Sequence, residues 1–215
     1  MPCSALPAFR EYRRQPAGRL KLGIMVLAAG ASRRFGGCKL LASVHTKPLL
    51  QHAIDLAQTH DHEALVVITG HWHEAIVAAQ AQGEIGEARI IHNKDWQLGM
   101  SSSIRCGVEA LEGRCNHLLI LLGDQPGITP RDIDTLIAAL PDHQIACASY
   151  AGICGVPALF SEEVFTDLKA LRGDRGAKAL FVQTDRRVAQ CAIPAAAVDI
   201  DTLVDLESYR NTTAQ

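Results

Sequence analysis

The sequence lacks several features that would mark common functional classes. Aromatic residues are only 5% of the chain, and Ala, Leu, Ile and Val carry most of the apolar content, which favours helices packed on a buried sheet over an aromatic-rich sandwich. The net charge is only −2, so no global field attracts nucleic acid or an anionic membrane. No apolar run approaches the roughly 20 residues that span a bilayer, and residues 1–22 contain no apolar segment of the secretory type. We therefore expect neither a nucleic-acid nor a membrane partner.

The cysteines and histidines also lack a metal-binding pattern. The seven cysteines are scattered and no two have C-x-x-C spacing, which argues against a zinc site or a redox dithiol. The pairs His60/His62 and His71/His73 have no third ligand at a recognisable spacing. Reduced thiols are typical of a reducing compartment, so we expect a cytoplasmic protein.

The length of the chain and its pattern of apolar residues predict one α/β domain. The 215 residues fit one large domain more easily than two. The basic residues 1–20 are predicted to be a mobile N-terminal tail, and residues 21–211 to be the domain. Continuous apolar runs at residues 22–29, 64–69 and 117–122 predict strands buried on both faces. Because helical patterns alternate with the strands, we expect βαβ units, a mainly parallel sheet and a single three-layer Rossmann-like α/β domain.

The loop after the first strand carries the densest set of phosphate-binding residue types. Residues 30–39 contain three glycines, two arginines and a lysine. Glycine lets backbone N–H groups approach an anion closely, and the cationic side chains bind phosphate oxygens. The loop therefore predicts polyphosphate binding, with a solvated surface turn as the alternative. Its spacing fits neither the P-loop, since Cys38 precedes Lys39, nor the dinucleotide fingerprint, since Ser32 replaces the second glycine.

A carboxylate follows another predicted strand. Asp124 comes one glycine after the run at residues 117–122. Ligands of parallel sheets bind where strands end, so we expect Asp124 beside the glycine loop if the first strand is a neighbour. Its oxygens are of the kind that Mg²⁺ prefers. A turn residue before Pro126 is the structural alternative.

Three more carboxylates lie close together near the end of the chain. Asp205 forms a predicted capping box with Thr202, which gives it a sufficient structural role. Asp199 and Asp201 would share one face of an extended segment. From spacing alone, either of these two could be a second metal ligand.

Five blocks of the sequence resemble the signature of the molybdenum cofactor nucleotidyltransferases. They are LAAGASRRFGGCKLL at 27–41, KPLL at 47–50, GMSSS at 99–103, GDQP at 123–126 and GDRGA at 173–177. Their order and approximate spacing match that family from about residue 22 to residue 210. The resemblance implies a fold of the nucleotide-diphospho-sugar transferase type. It also implies transfer of a nucleoside monophosphate unit to a small phosphorylated acceptor.

The resemblance also implies roles for individual residues. Catalysis would depend on Arg34, Lys39 and Asp124, and the D-T-x-x-D pattern favours Asp201 over Asp199 as the ligand that joins Asp124 in holding Mg²⁺. The residues implied in nucleotide binding are Leu27, Ala28, Ala29, Gly30, Ser32, Arg34, Lys39, Gly99, Ser101, Ser102 and Asp124. The residues expected to bind the acceptor are Gly155, Pro157, Arg175 and Lys178. An ordinary helix cap is the alternative for the serines.

The implied reaction is attack of an acceptor phosphate on the α-phosphorus of a nucleoside triphosphate, with release of pyrophosphate. A phosphate monoester has its second pKa at about 6, so it is mostly dianionic at neutral pH and needs no general base. The Leu-Ala-Ala-Gly block at 27–30 resembles the cytidylyl branch of the family. CTP and a molybdopterin-type acceptor are therefore favoured, with transient contact with a molybdenum hydroxylase. Val156 stands where many relatives have a polar residue or His, which leaves the acceptor open.

Three alternatives stay open. Cytidylyl or guanylyl transfer to another small phosphorylated acceptor, such as a sugar or alcohol phosphate, would use the same loop. A nicotinamide-dependent oxidoreductase of the same fold would show hydride transfer, or tight NAD(P)H binding without Mg²⁺. A maturation chaperone that docks on a hydroxylase would need none of Arg34, Lys39 and Asp124, so their presence argues against it.

Overall fold

The computed structural model describes residues 19–182 and 186–213. The predicted tail, residues 1–20, lies almost entirely outside the described residues. The strands are β1 (Leu22–Ala28), β2 (Ser43–Val44), β3 (Lys47–Pro48), β4 (Ala64–Thr69), β5 (Arg89–His92), β6 (His117–Leu122), β7 (Ile145–Tyr150), β8 (Ile153–Ser161) and β9 (Val188–Ala192). The helices are α1 (Leu49–Gln58), α2 (His73–Ala81), α3 (Met100–Leu111), α4 (Pro130–Ala139), α5 (Phe165–Ala170), α6 (Lys178–Phe181) and α7 (Leu203–Thr213). Within these ranges, no helix has the length and apolar content to span a bilayer.

Seven of the strands form one sheet in the order β5-β4-β1-β6-β8-β7-β9. Strand β1 pairs in parallel with β4 and β6, and β4 pairs in parallel with β5. Strand β8 is antiparallel to both β6 and β7, while β9 is parallel to β7. All strands of this sheet except β8 therefore run in one direction, and the prediction of a mainly parallel sheet is confirmed.

Helices cover both faces of the sheet because side chains alternate along its buried strands. On β1, Ile24 and Val26 belong to a core with α1, α2 and α4. Met25 and Leu27 belong to a second core with α3, α5 and α6. Every residue of β1 is buried, which explains its unbroken apolar sequence. The predicted three-layer arrangement is confirmed.

The sheet brings distant parts of the chain to one edge. Leu27 and Leu122 are register partners at the carboxyl ends of β1 and β6. Beyond them, the N–H of Gly123 donates to the carbonyl of Leu27 over 3.1 Å, so the glycine loop and Asp124 begin side by side. The segment after β9 returns to this edge, where the N–H of Ile200 donates to the carbonyl of Asp124 over 3.0 Å.

Some elements differ from the sequence analysis. Strand β9 was not predicted, because it lacks the long apolar run that marks the central strands; most of it is only half-buried or exposed. Pro48 pairs with Ser43 in the β2–β3 hairpin and directly precedes the first residue of α1, Leu49.

A large side chain at the centre of the second core provides a test of the packing. Phe160 in β8 is fully buried, and its ring stacks on that of Phe181 in α6 with centroids 6.1 Å apart. We expect Phe160→Ala to lower the free energy of unfolding by about 3–5 kcal/mol, since it removes buried apolar atoms and leaves a cavity. Urea denaturation measures the loss. Phe160→Leu fills most of the space and should cost clearly less; equal losses for the two variants would contradict this packing.

Candidate active site

Four charged side chains from three distant parts of the chain meet at the carboxyl edge of the sheet. Lys39 Nζ donates to Asp124 Oδ2 over 2.5 Å and to Asp201 Oδ1 over 2.8 Å. Arg34 Nη2 donates to Asp201 Oδ2 over 2.7 Å. The two cations and two carboxylates form one connected set of ion pairs, which we call the charge cluster.

Lys39 is the inner cation of the charge cluster and Arg34 the outer one. The side chain of Lys39 is only 11% exposed, whereas that of Arg34 is 71% exposed. Burial acts to lower the pKa of Lys39, but its attraction to Asp124 and Asp201 outweighs burial and raises that pKa above its ordinary value. Lys39 is therefore charged at neutral pH, and the exposed Arg34 can turn toward a ligand.

Asp201 is held through its backbone as well as its carboxylate. Asp205 Oδ2 accepts hydrogen bonds from the N–H of Thr202 over 2.7 Å and of Asp201 over 3.1 Å. The N–H of Asp205 in turn donates to Thr202 Oγ1 over 3.2 Å, so the predicted capping box is present. The hydrogen bond from Lys39 is the main cause that lowers the pKa of Asp201, which keeps this carboxylate ionised.

Asp199 is a third carboxylate beside the charge cluster, in a different environment. Burial raises the pKa of Asp199, and the negative charge of Asp124 raises it further. A hydrogen bond of 2.8 Å from Gln125 Nε2 acts in the opposite direction without cancelling the shift. The pKa values of Asp199 and Asp201 are thus shifted in opposite directions, although only one residue separates them.

The glycine loop is strained at Ser32. This residue has φ of +52°, a conformation that is costly for a residue with a side chain. Its carbonyl accepts from the N–H groups of Phe35 (3.0 Å) and Gly36 (3.3 Å), while its buried hydroxyl has no partner among the described residues. Next to it, Trp72 Nε1 donates to the carbonyl of Ala31 over 3.1 Å. Backbone turned in this way is typical of anion-binding loops.

Two adjoining cavities open along this loop. The first has a volume of about 250 Å³ and is lined by Leu27, Ala28, Gly30, Ser32, Arg33, Arg34, Lys39, Leu40, Asp124 and Asp201. The second has a volume of about 690 Å³ and is lined by Leu27, Ala29, Gly30, Ala31, Arg33, Trp96, Gln97, Gly99, Met100, Ser103 and Asp174. Because Leu27, Gly30 and Arg33 line both, the two cavities form one cleft.

Most of the residues expected to bind nucleotide lie on this cleft. Those that line it are Leu27, Ala28, Ala29, Gly30, Ser32, Arg34, Lys39, Gly99 and Asp124. The sequence analysis missed Trp96, Gln97, Met100, Ser103 and Asp174, which line the second cavity. Trp96, Gln97, Met100 and Ser103 lie within or beside the block at 99–103, so that block was the available signal.

Ser101 and Ser102 are buried at the start of α3 and do not line the cleft. The hydroxyl of Ser102 donates to the carbonyl of Gly99 over 2.8 Å and accepts from Asn93 Nδ2 over 2.8 Å. It therefore holds the loop that carries Gly99. Direct contact of these two serines with a nucleotide stays a prediction.

The residues expected to bind the acceptor have a different location. Gly155 and Pro157 are buried in β8, on either side of Val156, and Lys178 is exposed at the first position of α6. None of these three lines the cleft. The side chain of Arg175 lies outside the described part of the structure. Acceptor binding by these residues stays a prediction.

The donor set of the first cavity fits a magnesium ion. Asp124 Oδ1 is buried and has no hydrogen-bond partner among the described residues, and Asp201 lies across Lys39 from it. No group of three or more His, Cys, Asp or Glu side chains in the described ranges forms a metal centre by itself. Mg²⁺ is usually held by one or two carboxylates, with phosphate oxygens and water completing its shell. The two carboxylates, one of which has an oxygen without a partner, correspond to such a site.

Comparison with known proteins decides the family. The sequence profile described as "MobA-like NTP transferase domain" matches residues 24–188. The chain belongs to the MobA-like NTP transferase family. The resemblance to the molybdenum cofactor nucleotidyltransferases is confirmed, and the chain carries a nucleotidyltransferase domain.

This MobA-like chain is similar to curated proteins whose names describe different roles, and to solved structures. Purine catabolism protein PucB of Bacillus subtilis (strain 168) is 31% identical over 160 residues, covering 72% of this chain and 78% of PucB. Nicotine blue oxidoreductase of Paenarthrobacter nicotinovorans is 27% identical over 190 residues, covering 83% and 91%. The solved structure of Rv0371C from Mycobacterium tuberculosis H37Rv, a complex with manganese, has 26% identity and a TM-score of 0.72, covering 89% of this chain and 99% of that one. One structural relative has thus been solved as a complex with manganese.

The opposite pKa shifts of Asp199 and Asp201 give a paired prediction for this MobA-like domain. The raised pKa of Asp199 means that its contribution to stability is present below the unfolded pKa and is lost as pH rises through the folded pKa. The lowered pKa of Asp201 means that the contribution of this carboxylate to stability is present above the unfolded pKa and is lost as pH falls through the folded pKa.

We therefore expect Asp199→Asn to gain stability relative to the unchanged protein as pH rises from about 3.5 to 6, and Asp201→Asn to lose stability over the same range. Urea denaturation at a series of pH values, without added metal, measures both. Slopes of the same sign for the two variants would contradict the electrostatic arrangement described above.

Proposed function

We propose that the protein transfers CMP from CTP to molybdopterin with release of pyrophosphate, using Mg²⁺. The observation that carries this proposal is the charge cluster, in which Arg34 and Lys39 lie against Asp124 and Asp201 beside an anion-binding loop. The first cavity suits the phosphates, and the larger second cavity suits the nucleoside.

Within this proposal, Lys39 and Arg34 bind the triphosphate. Lys39 is the more buried of the two, and its fixed position suits an oxygen deep in the cleft. The exposed Arg34 can offer its planar guanidinium to the leaving pyrophosphate. Charge neutralisation by groups already in place is the largest catalytic contribution available to such a site.

Asp124 and Asp201 are the residues proposed to hold Mg²⁺. When bound, the ion would supply positive charge at the phosphates and polarise the α-phosphoryl group. The unpartnered Asp124 Oδ1 supports this role, since an acceptor buried without a partner is costly unless a ligand engages it.

The acceptor's own phosphate is proposed to be the nucleophile. It is mostly dianionic at neutral pH, so the site has to align it rather than deprotonate it. That requirement agrees with the charge cluster, which consists of Arg34, Lys39 and two carboxylates and contains no histidine. Alignment of the acceptor phosphate with the α-phosphate of the nucleotide then adds to the rate enhancement from charge neutralisation.

The choice of CTP and molybdopterin rests on the Leu-Ala-Ala-Gly sequence at 27–30, which resembles the cytidylyl branch. All four of these residues line the cleft. The name of one relative, nicotine blue oxidoreductase, keeps hydride transfer as the competing activity that an experiment has to exclude.

One assay separates these activities. Pyrophosphate release is measured with CTP, GTP, ATP and UTP, each with and without molybdopterin and with and without Mg²⁺. We expect release only when CTP, molybdopterin and Mg²⁺ are all present. Pyrophosphate release with a sugar phosphate but not with molybdopterin would show that the acceptor is a sugar phosphate. Oxidation of NAD(P)H with a pigment substrate, together with no pyrophosphate from any nucleotide, would overturn the proposal.

The metal assignment has its own test. We expect Asp124→Asn to lower kcat for pyrophosphate release by at least about 100-fold, because the amide cannot supply the charge that holds Mg²⁺. The fold should survive, as judged by circular dichroism and thermal unfolding. Asp61→Asn makes the same change at an exposed site away from the cleft and should leave the rate unchanged. A near-normal rate for Asp124→Asn would show that the assignment is wrong.

A further inference from the structure

The second cavity contains a carboxylate that the proposed chemistry does not use. Asp174 lies in the turn at Gly173–Arg175 and lines the second cavity together with residues of the glycine loop. Its neighbour Arg175 was expected to bind the acceptor, but the carboxylate of Asp174 would repel the acceptor's phosphate. Its presence in the larger cavity needs a different explanation.

Close packing fixes the position of Asp174. Gly99 has φ of +97°, and a β-carbon there would lie 2.4 Å from Asp174 Oδ1 and 2.7 Å from the carbonyl carbon of Gly173. A β-carbon on Gly176 would lie 2.7 Å from Met100 Sδ. The turn at 173–176 therefore fits directly against the start of α3, and Asp174 is held at the cavity by the backbone.

The other groups around the carboxylate suit a nucleobase. Trp96 offers an aromatic ring, and Met100 and Leu27 offer apolar surface in the same cavity. A base stacks on such groups and presents its polar edge to whatever donors and acceptors lie at the rim. Among the described side chains, no hydrogen bond or ion pair engages the carboxylate of Asp174, so it is available as an acceptor.

We propose that the Asp174 carboxylate accepts a hydrogen bond from the exocyclic amino group of the nucleobase, and so selects cytosine over uracil. Cytosine carries an N4 amino donor, whereas uracil carries a carbonyl oxygen at that position, which a carboxylate repels. A site built to bond a donor rejects the analogue that lacks it. This inference rests on the proposed function, since it takes a nucleoside triphosphate as the ligand.

Binding can be measured without acceptor or turnover. Trp96 lines the cavity and is one of two tryptophans in the chain, so nucleotide binding should change its fluorescence; Trp96→Phe identifies the part of the signal that comes from it. CTP, UTP and dCTP are titrated in Mg²⁺ against the full-length protein and two variants, Asp174→Asn and Asp95→Asn.

We expect the unchanged protein to bind CTP at least about tenfold more tightly than UTP, as a hydrogen bond to a charged group predicts. In Asp174→Asn the CTP-to-UTP ratio of affinities should fall about tenfold, because the amide can donate to the uracil carbonyl. Asp95→Asn removes an exposed charge next to Trp96 that does not line the cavity, and should leave the ratio unchanged.

Each other outcome contradicts the inference. An equal change for CTP and UTP in Asp174→Asn means a structural or long-range charge effect, and no change means no contact. Loss of discrimination between CTP and dCTP, with the CTP-to-UTP ratio kept, assigns Asp174 to the ribose instead. If the unchanged protein binds no nucleoside triphosphate, the proposed function fails as well, whereas binding without the expected selectivity overturns the role of Asp174 alone.

Discussion

Lys39 holds together two carboxylates that would otherwise repel each other. Its ammonium lies 2.5 Å from Asp124 and 2.8 Å from Asp201 in a setting where only 11% of its side chain is exposed. Little water screens the interaction there, so it is strong enough to raise the pKa of the lysine against the effect of burial. The neighbouring Asp199 forms no ion pair with the described residues, and burial together with the negative charge of Asp124 raises its pKa.

The fold supplies the geometry that makes this contact possible. Parallel strands end at the same edge of a sheet, so residues far apart in sequence meet where β1 and β6 stop. The hydrogen bond between Gly123 and Leu27 sets the spacing of the first two loops. The bond from Ile200 to the carbonyl of Asp124 and the capping box of α7 then bring Asp201 to the same place. Backbone hydrogen bonds thus position the acidic side chains.

The sequence predicted the parts of this arrangement that depend on local pattern and on the rules of parallel sheets. Buried strands appear as unbroken apolar runs, and the residues that follow them, such as Lys39 and Asp124, can be expected to lie close together. Strand β9 escaped prediction because an edge strand that is largely half-buried or exposed has no such run. Asp174 was missed because the packing that brings it to Gly99 joins two loops far apart in the sequence, and no local sequence pattern indicates that contact.

The charge cluster also couples the two kinds of ligand that the site is proposed to bind. Its two cations and two carboxylates balance, so folding can assemble them at low electrostatic cost. The same carboxylates cannot fully neutralise the cations and a divalent ion at once. The proposed metal binding by Asp124 and Asp201 would therefore leave Lys39 and Arg34 with uncompensated positive charge, which a triphosphate would balance. By linkage, each ligand must then strengthen the binding of the other, which explains why the residues proposed for metal and for phosphate are direct hydrogen-bond partners.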